Sequence, residues 1–192
     1  RAAIEDQIAA DYLVTSGDGY SEVVVAAADA VAGAPETRLV TGVRSEIGKV
    51  AGSDMYVTGI DPTQIAQAYR FEWKEGSNAV LASLGRSGVI VDDAFATDKR
   101  LGLGDTFPLL TPSGERRELV VRGIYEPPPF YPMLASVSIP QETFDSLYER
   151  PRNLYTLVNV EGDPSEQTRR SLESALTGFP DVQVLTRGEL IA

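Results

Sequence analysis

The chain has 192 residues, of which 43% are hydrophobic, and its formal net charge is −11. That length suits one ordinary domain or two small ones, with enough apolar residues to bury a core. No run of basic residues is longer than two, so the composition argues against nucleic-acid binding, which relies on clustered Lys and Arg. The absence of Cys and His excludes Cys/His zinc sites, Cys nucleophiles and Ser-His-Asp triads.

The spacing of apolar residues predicts short helices and strands along the whole chain. Helices are predicted over residues 3–10, 21–33, 61–69, 78–84, 92–100, 141–148 and 163–178. Strands are predicted over residues 10–15, 37–46, 50–60, 89–91, 106–110, 115–125, 134–139, 155–160 and 182–185. Asp61 and Asp163 each precede a proline, the arrangement of an N-cap followed by proline in the first turn. The second and third strands are expected to turn near Gly48.

This order of elements predicts an α+β fold. Both ends of the chain alternate helices and strands, whereas residues 71–131 are rich in strands and punctuated by proline. We therefore expect an α/β layer formed by residues 1–70 and 132–192, with a β-rich subdomain of residues 71–131 inserted in it. No run of about 20 apolar residues is present that could span a membrane. Because the chain begins at Arg1 rather than Met, we expect it to be a segment of a longer protein.

Two segments invite a chemical interpretation. Asp92 and Asp93 are adjacent carboxylates, and paired acids can share a proton or bind a cation. Adjacent side chains point apart, however, and a helix N-cap explains the pair better. The segment 102–105 (GLGD) could suggest a phosphate cradle, but it lacks the GxGxxG pattern. A tight reversal that uses glycine at positive φ is the favoured interpretation.

Other polar residues give weaker signals. Asp54, Asp61 and Asp163 lack the DxDxDG loop of a calcium site. Ser45 lies four residues before Lys49, so a Ser-Lys dyad is formally possible. That spacing is common by chance. The sequence thus predicts no catalytic residue, no metal site and no cofactor site.

Aromatic residues surround the triple proline at 127–129. Tyr125 precedes it, and Phe130 and Tyr131 follow it. A stiff polyproline segment can hold aromatic side chains at the surface as a contact patch. It can equally be a linker whose aromatics pack onto the core. We take Tyr125, Phe130 and Tyr131 as candidate contacts to a partner or substrate.

Taken together, several segments of the chain resemble the extracytoplasmic core domain of one family, the MacB/FtsX-like ABC transporter permeases. The resemblance covers essentially the whole chain. It rests on the order and spacing of structural motifs, namely ADYLV at 10–14, VTGIDP at 57–62, EGS at 75–77, VIV with Ala94 at 89–94, LGDT at 103–106 and LVVRGI at 119–124.

The resemblance implies a mechanical and non-enzymatic role. In such permeases this domain lies between the first two membrane helices and consists of a porter-like α/β subdomain with an inserted β-rich subdomain. The ATP-binding subunit and the membrane helices of the transporter would be the partners, outside this chain. The domain would lie on the outer side of the cell membrane and act on an extracytoplasmic protein or on a lipid or peptide substrate.

Two other functions remain open at this stage. The aromatic and proline-rich rim at 125–132 also suits a free-standing extracellular module for ligand binding or adhesion. A carboxylate-based hydrolase would rest only on the excess of acidic residues, 28 against 17 basic ones.

Overall fold

The computed structural model describes residues 8–18, 21–128 and 133–191. Its strands are β1 (Tyr12–Ser16), β2 (Thr37–Val50), β3 (Ser53–Ile60), β4 (Glu72–Glu75), β5 (Gly88–Asp92), β6 (Thr106–Leu110), β7 (Arg116–Glu126), β8 (Val137–Pro140), β9 (Asn153–Val160) and β10 (Val182–Thr186). Its helices are α1 (Val25–Ala32), α2 (Ile65–Ala68), α3 (Asp93–Lys99), α4 (Gln141–Leu147), α5 (Glu166–Ala175) and α6 (Arg187–Ile191), with a 3-10 helix at Asn78–Ser83. The predicted α+β class is confirmed.

The strands of the described residues form one mixed sheet in the order β10-β1-β9-β2-β3-β8-β5-β7-β4. The remaining strand, β6, pairs with both β2 and β7. This double pairing closes a circuit of six strands, β2-β3-β8-β5-β7-β6, which makes a small barrel. The sheet outside the barrel continues through β9 and β1 to β10 at its far edge.

Helices α1 and α5 cover one face of this outer sheet. Val31 of α1 and Leu172 of α5 are fully buried against Val158 of β9. On the opposite face, α2 and the 3-10 helix pack against the sheet through a second cluster that includes Ile65 and Leu81. The sheet is therefore covered on both faces, which explains why β9 is almost continuously buried.

The barrel has its own apolar core. Its strands contribute small and branched side chains such as Val57, Val91 and Leu109, and α4 adds Phe144. Gly59 lets α4 approach β3 closely, since a Cβ at this position would lie 2.8 Å from the Cβ and Cγ of Phe144. Residues 71–131 supply three barrel strands, and β2, β3 and β8 supply the others. The proposed division into two subdomains stays a prediction.

The β2–β3 hairpin turns three residues later than expected. β2 continues through Gly48, which pairs with Met55, and the turn is made by Ala51 and Gly52 at φ values of 49° and 84°. Two successive residues at positive φ suit the right-handed twist of a tight hairpin. Gly48 serves close packing instead, because a Cβ there would lie 2.8 Å from the Tyr148 hydroxyl.

The predicted cap of α5 is wrong by two residues. Ser165, not Asp163, is the N-cap, and its Oγ accepts a hydrogen bond from the amide of Thr168 at 3.2 Å. The Thr168 hydroxyl accepts in return from the amide of Ser165 at 2.8 Å. This reciprocal pair is a capping box, and it begins the helix after Pro164. The predicted helix at residues 78–84 is a 3-10 helix, and the one at residues 3–10 lies mostly outside the described residues.

Candidate functional site

The two ends of the described chain lie side by side in the sheet. β1 and β10 are antiparallel neighbours, and Tyr12, which begins β1, is the register partner of Thr186, which ends β10. The chain therefore enters and leaves the sheet at the same end. Arg187 reinforces this junction, because its Nε donates to the carbonyl oxygen of Ala10 at 3.1 Å. Its Nη2 lies 3.8 Å from the carboxylate of Asp11.

The helix that follows β10 is also fastened to the body of the domain. Glu189 of α6 accepts two hydrogen bonds from the guanidinium of Arg169 on α5, one of them at 3.1 Å. Arg169 also donates to the carbonyl oxygen of Val184 in β10 at 3.1 Å. The hydrogen bonds from Arg169 lower the pKa of the Glu189 carboxyl below its ordinary value of 4.5. Together these contacts tie the end of β10 to α5.

A buried arginine connects the outer sheet to the barrel. Arg44 of β2 is only 7% exposed. Its Nε and Nη2 donate to the carboxylate of Asp145 on α4 at 2.9 and 3.1 Å, and its Nη1 donates to Oδ1 of Asn153 on β9 at 2.7 Å. Gly42 leaves room for Asn153, since a Cβ at Gly42 would lie 2.6 Å from its Nδ2. Arg44 thus holds β2, β9 and α4 in one arrangement.

The adjacent carboxylates do not form a shared site. Oδ1 of Asp92 accepts from the amide of Phe95 at 2.8 Å and caps α3. Asp93 lies in the first turn of that helix and pairs with Lys74 at 3.0 Å. The predicted capping role is confirmed for Asp92.

The other weak signals also receive structural explanations. Gly104 adopts a φ of 86° in the turn before β6, as expected for a reversal. Ser45 and Lys49 both lie in β2, where four residues span about 13 Å, too far for proton transfer between them. Among the described residues, no group of three or more acidic side chains could hold a metal ion.

Of the three predicted aromatic contact residues, Tyr125 lies within the described part of the chain. Tyr125 is 1% exposed and belongs to an aromatic cluster, with its ring centroid 5.2 Å from that of Phe71. Phe71 in turn stacks on Trp73 at 4.8 Å. Burial raises the pKa of the Tyr125 hydroxyl well above 10. Tyr125 therefore supports the core rather than the surface.

Phe130 and Tyr131 lie outside the described residues. The predicted contact patch rests on these two side chains, and it stays a prediction.

Open clefts are present in the described part of the chain. One, of about 670 Å³, lies beside the end of β1 and is lined by Glu22, Arg152 and Phe179. Another, of about 460 Å³, lies between the 3-10 helix and α4, with Arg86 and Arg117 at its wall. None of the described helices is long and apolar enough to cross a membrane.

The arginines at the chain ends and in the barrel junction were not identified from the sequence. Arg44 stands out only weakly there, as one of several charged residues in the strand, placed between Val43 and Ser45. Arg187 carries no local signal, because its partner Ala10 is distant in the chain. Arg169 has Glu166 and Glu173 at helical spacing, but nothing local indicates its bond to Glu189.

Comparisons with solved structures place this fold among the extracytoplasmic domains of ABC transporter permeases. The periplasmic region of MacB from Actinobacillus actinomycetemcomitans superposes with a TM-score of 0.68 at 15% identity, covering 98% of this chain and 94% of that one. The extracellular domain of YknZ, a noncanonic ABC-type transporter from Gram-positive bacteria, gives a TM-score of 0.63 at 12% identity over 92% of this chain and 99% of its own.

A third structure, a domain of a putative permease protein from Porphyromonas gingivalis, gives a TM-score of 0.57 at 14% identity, covering 94% of this chain and 89% of that one. No family model and no curated protein sequence matches the chain. The resemblance found in the sequence is therefore confirmed at the level of the fold: the chain has the architecture of a MacB/FtsX-like extracytoplasmic domain.

Proposed function

We propose that this chain is the extracytoplasmic domain of an ABC transporter permease, and that it passes ATP-driven motion of membrane helices to a substrate or partner outside the membrane. The observation that carries the proposal is the pairing of β1 with β10. A domain inserted between two membrane helices needs both of its ends on the membrane side. Tyr12 and Thr186, near the two chain ends, are register partners at one end of the sheet, which is compatible with that requirement.

The same contacts offer a path for force. A displacement of either chain end acts on β1 or β10, which are held together by five register pairs. From β1 the hydrogen-bonded ladder continues through β9 into β2, the longest strand described. β2 is itself a strand of the barrel, and Arg44 fastens it to α4. Close-packed elements move as rigid bodies rather than deform continuously, so motion at the ends would reach the barrel.

The proposal includes partners and a location. The ATP-binding subunit and the membrane helices would lie outside this chain, and the domain would lie on the outer side of the cell membrane. An extracytoplasmic protein, or a lipid or peptide substrate, would contact its surface, and Phe130 and Tyr131 remain candidates for that contact. The role requires neither a catalytic residue nor a cofactor. Two of the structural neighbours, the periplasmic region of MacB and the extracellular domain of the ABC-type transporter YknZ, lie outside the membrane in their own proteins, which supports this location.

The location can be tested in the full-length parent protein. The chain lacks Cys, so Leu103→Cys introduces one thiol at a side chain that is 50% exposed. In intact cells, with any cysteines elsewhere in the parent replaced, a membrane-impermeant maleimide should label this thiol. The matched control is Leu109→Cys, whose position is fully buried and should not react.

Membrane association separates the two candidate functions. A permease domain should stay in the membrane fraction after alkaline extraction, and apolar spans of about 20 residues should flank it on both sides. A free-standing extracellular module would instead be labelled and then released by the extraction. Labelling that requires broken cells would contradict both functions.

A further inference from the structure

An exposed apolar patch lies on the β2–β3 hairpin. Tyr56 is 62% exposed and Ile47 is 44% exposed, and the two are register partners across the hairpin. Leu110 of β6, which is 40% exposed, lies beside Lys49 on the same face. Asp54 is the register partner of Lys49 on β3. We call Ile47, Lys49, Asp54, Tyr56 and Leu110 the hairpin patch.

The patch is confined to one face and one end of the hairpin. Val50 and Val57, which point to the other face, are fully buried in the barrel core. Along the patch face itself, the preceding register pair, Ser45 and Thr58, is buried at 5% and 2% exposure. Exposed single apolar residues are common, whereas neighbouring ones in register mark an interaction surface. Tyrosine is moreover enriched at such surfaces.

The charges in the patch are arranged to suit a second copy of the same surface. Lys49 and Asp54 lie directly opposite each other across the two strands. Among the described residues, no ion pair includes Lys49 or Asp54. Both charges are therefore available to a partner. When a cation and an anion lie at the same level of a hairpin, a two-fold rotation can bring the cation of each copy against the anion of the other.

We propose that two copies of this chain pack through the hairpin patch about a two-fold axis that runs parallel to the strands, midway between β2 and β3. This rotation places each β2 over the β3 of the second copy. Ile47 then lies against Tyr56 of the second copy, and Lys49 lies against Asp54 of the second copy. Each contact occurs twice, as in any isologous interface. Leu110 extends the apolar area beside Lys49.

The contact should be weak in solution. A patch of five side chains on each copy falls below the roughly 1,200 Å² at which stable interfaces begin. Tethering two domains within one assembly would raise their effective concentration and strengthen such a contact. The proposal concerns the surface of this chain alone and does not rest on the proposed transport function.

The proposal can be tested by sedimentation velocity. The 192-residue chain is measured over a range from micromolar to millimolar concentration. The unmodified chain should show a monomer–dimer equilibrium, and Tyr56→Ser should weaken it about tenfold or more, because Tyr56 is the most exposed large side chain of the interface. The matched control is Leu103→Ser, which removes an exposed apolar side chain outside the patch and should leave the equilibrium unchanged.

Charge-reversal variants test the proposed two-fold arrangement, in which Lys49 of one copy lies against Asp54 of the other. Lys49→Glu and Asp54→Lys should each weaken self-association about tenfold, because each places like charges together twice. An equimolar mixture of the two variants should recover association, since the new carboxylate of one chain then meets the new ammonium of the other. A chain that stays monomeric at all concentrations would overturn the proposal. So would a dimer that tolerates Tyr56→Ser, or a mixture that fails to recover.

Discussion

Arg187 donates from its Nε to the carbonyl oxygen of Ala10 at 3.1 Å, so that residues 177 positions apart in sequence are joined at one end of the sheet. The carboxylate of Asp11 lies 3.8 Å from Nη2 of the same guanidinium. This side-chain bridge lies directly beside the register pair of Tyr12 and Thr186. It gives the junction of the two chain ends a contact that can be removed without touching the core.

Arg187→Met should loosen the chain ends locally. Removing hydrogen bonds of a half-exposed arginine costs about 1 kcal/mol, which corresponds to about fivefold faster exchange of a locally protected amide. The amide of Asp11, which donates to Val158 at 3.0 Å, is the probe for hydrogen-exchange measurement. Arg170→Met, on the exposed surface of α5, is the matched control. Unchanged protection of Asp11 in the Arg187 variant would show that the bridge does not hold the ends.

The cap of α5 can be assigned by two substitutions. Ser165→Ala removes the acceptor for the Thr168 amide and should lower the free energy of unfolding by about 1 kcal/mol. Asp163→Ala should change it by less than about 0.5 kcal/mol, as expected of a surface position. Urea denaturation measures both. Equal losses in the two variants would restore Asp163 as a participant in the cap.

Tyr125 should matter for stability through its ring rather than its hydroxyl. Tyr125→Ala leaves a cavity next to Phe71 and should cost about 3–5 kcal/mol. Tyr125→Phe should cost only about 1 kcal/mol, because it removes the hydrogen bonds of the hydroxyl, a long one of 3.5 Å to the carbonyl oxygen of Ala135 and one with the side chain of Ser138, but keeps the ring. Thermal or chemical unfolding of the two variants gives the comparison. A phenylalanine variant as unstable as the alanine variant would contradict this interpretation.

The Arg169–Glu189 pair should make stability depend on acid pH. The pKa of Glu189 is lowered below 4.5 in the folded chain, so its contribution is present above the unfolded-state pKa and is lost as the pH falls through the folded-state pKa. The gap in unfolding free energy between the unmodified chain and Glu189→Gln should therefore shrink below pH 4.5. Glu189 is 41% exposed, so the gap should stay under about 1 kcal/mol. A gap that widens in acid would contradict the pairing.

Local signals in the sequence were sufficient for most of the elements. The sequence predicts that Asp92 caps α3, and the structure confirms it. That role depends only on one side chain and one nearby amide, so a local pattern is enough to indicate it. The α5 cap was misplaced because Asp163 and Ser165 both suit an N-cap, and only the reciprocal bond with Thr168 decides between them. Such alternatives differ by about 1 kcal/mol, which a residue pattern does not resolve.

Long-range relationships could not be predicted in the same way. The barrel closes because Lys49 and Val50 pair with Leu110 and Leu109, and no local pattern specifies this pairing. Arg44 meets its carboxylate partner 101 residues away. The sequence also left open whether Tyr125 lies at the surface or packs onto the core. Its burial depends on contact with Phe71, which is distant in the chain, so no local pattern could decide between the two.

The most direct test of the mechanical role measures one distance in the full-length parent protein. Spin labels on Leu103→Cys and on the outer end of a flanking membrane helix should report a distance that changes when ATP is bound. A flexible Gly-Ser insertion between Thr186 and Arg187 uncouples one of the two chain ends and should therefore reduce that change while ATP hydrolysis continues. The same insertion in the β6–β7 turn at Ser113, away from the chain ends, should leave the change intact. A distance that is the same with and without ATP in the unmodified parent would contradict the account.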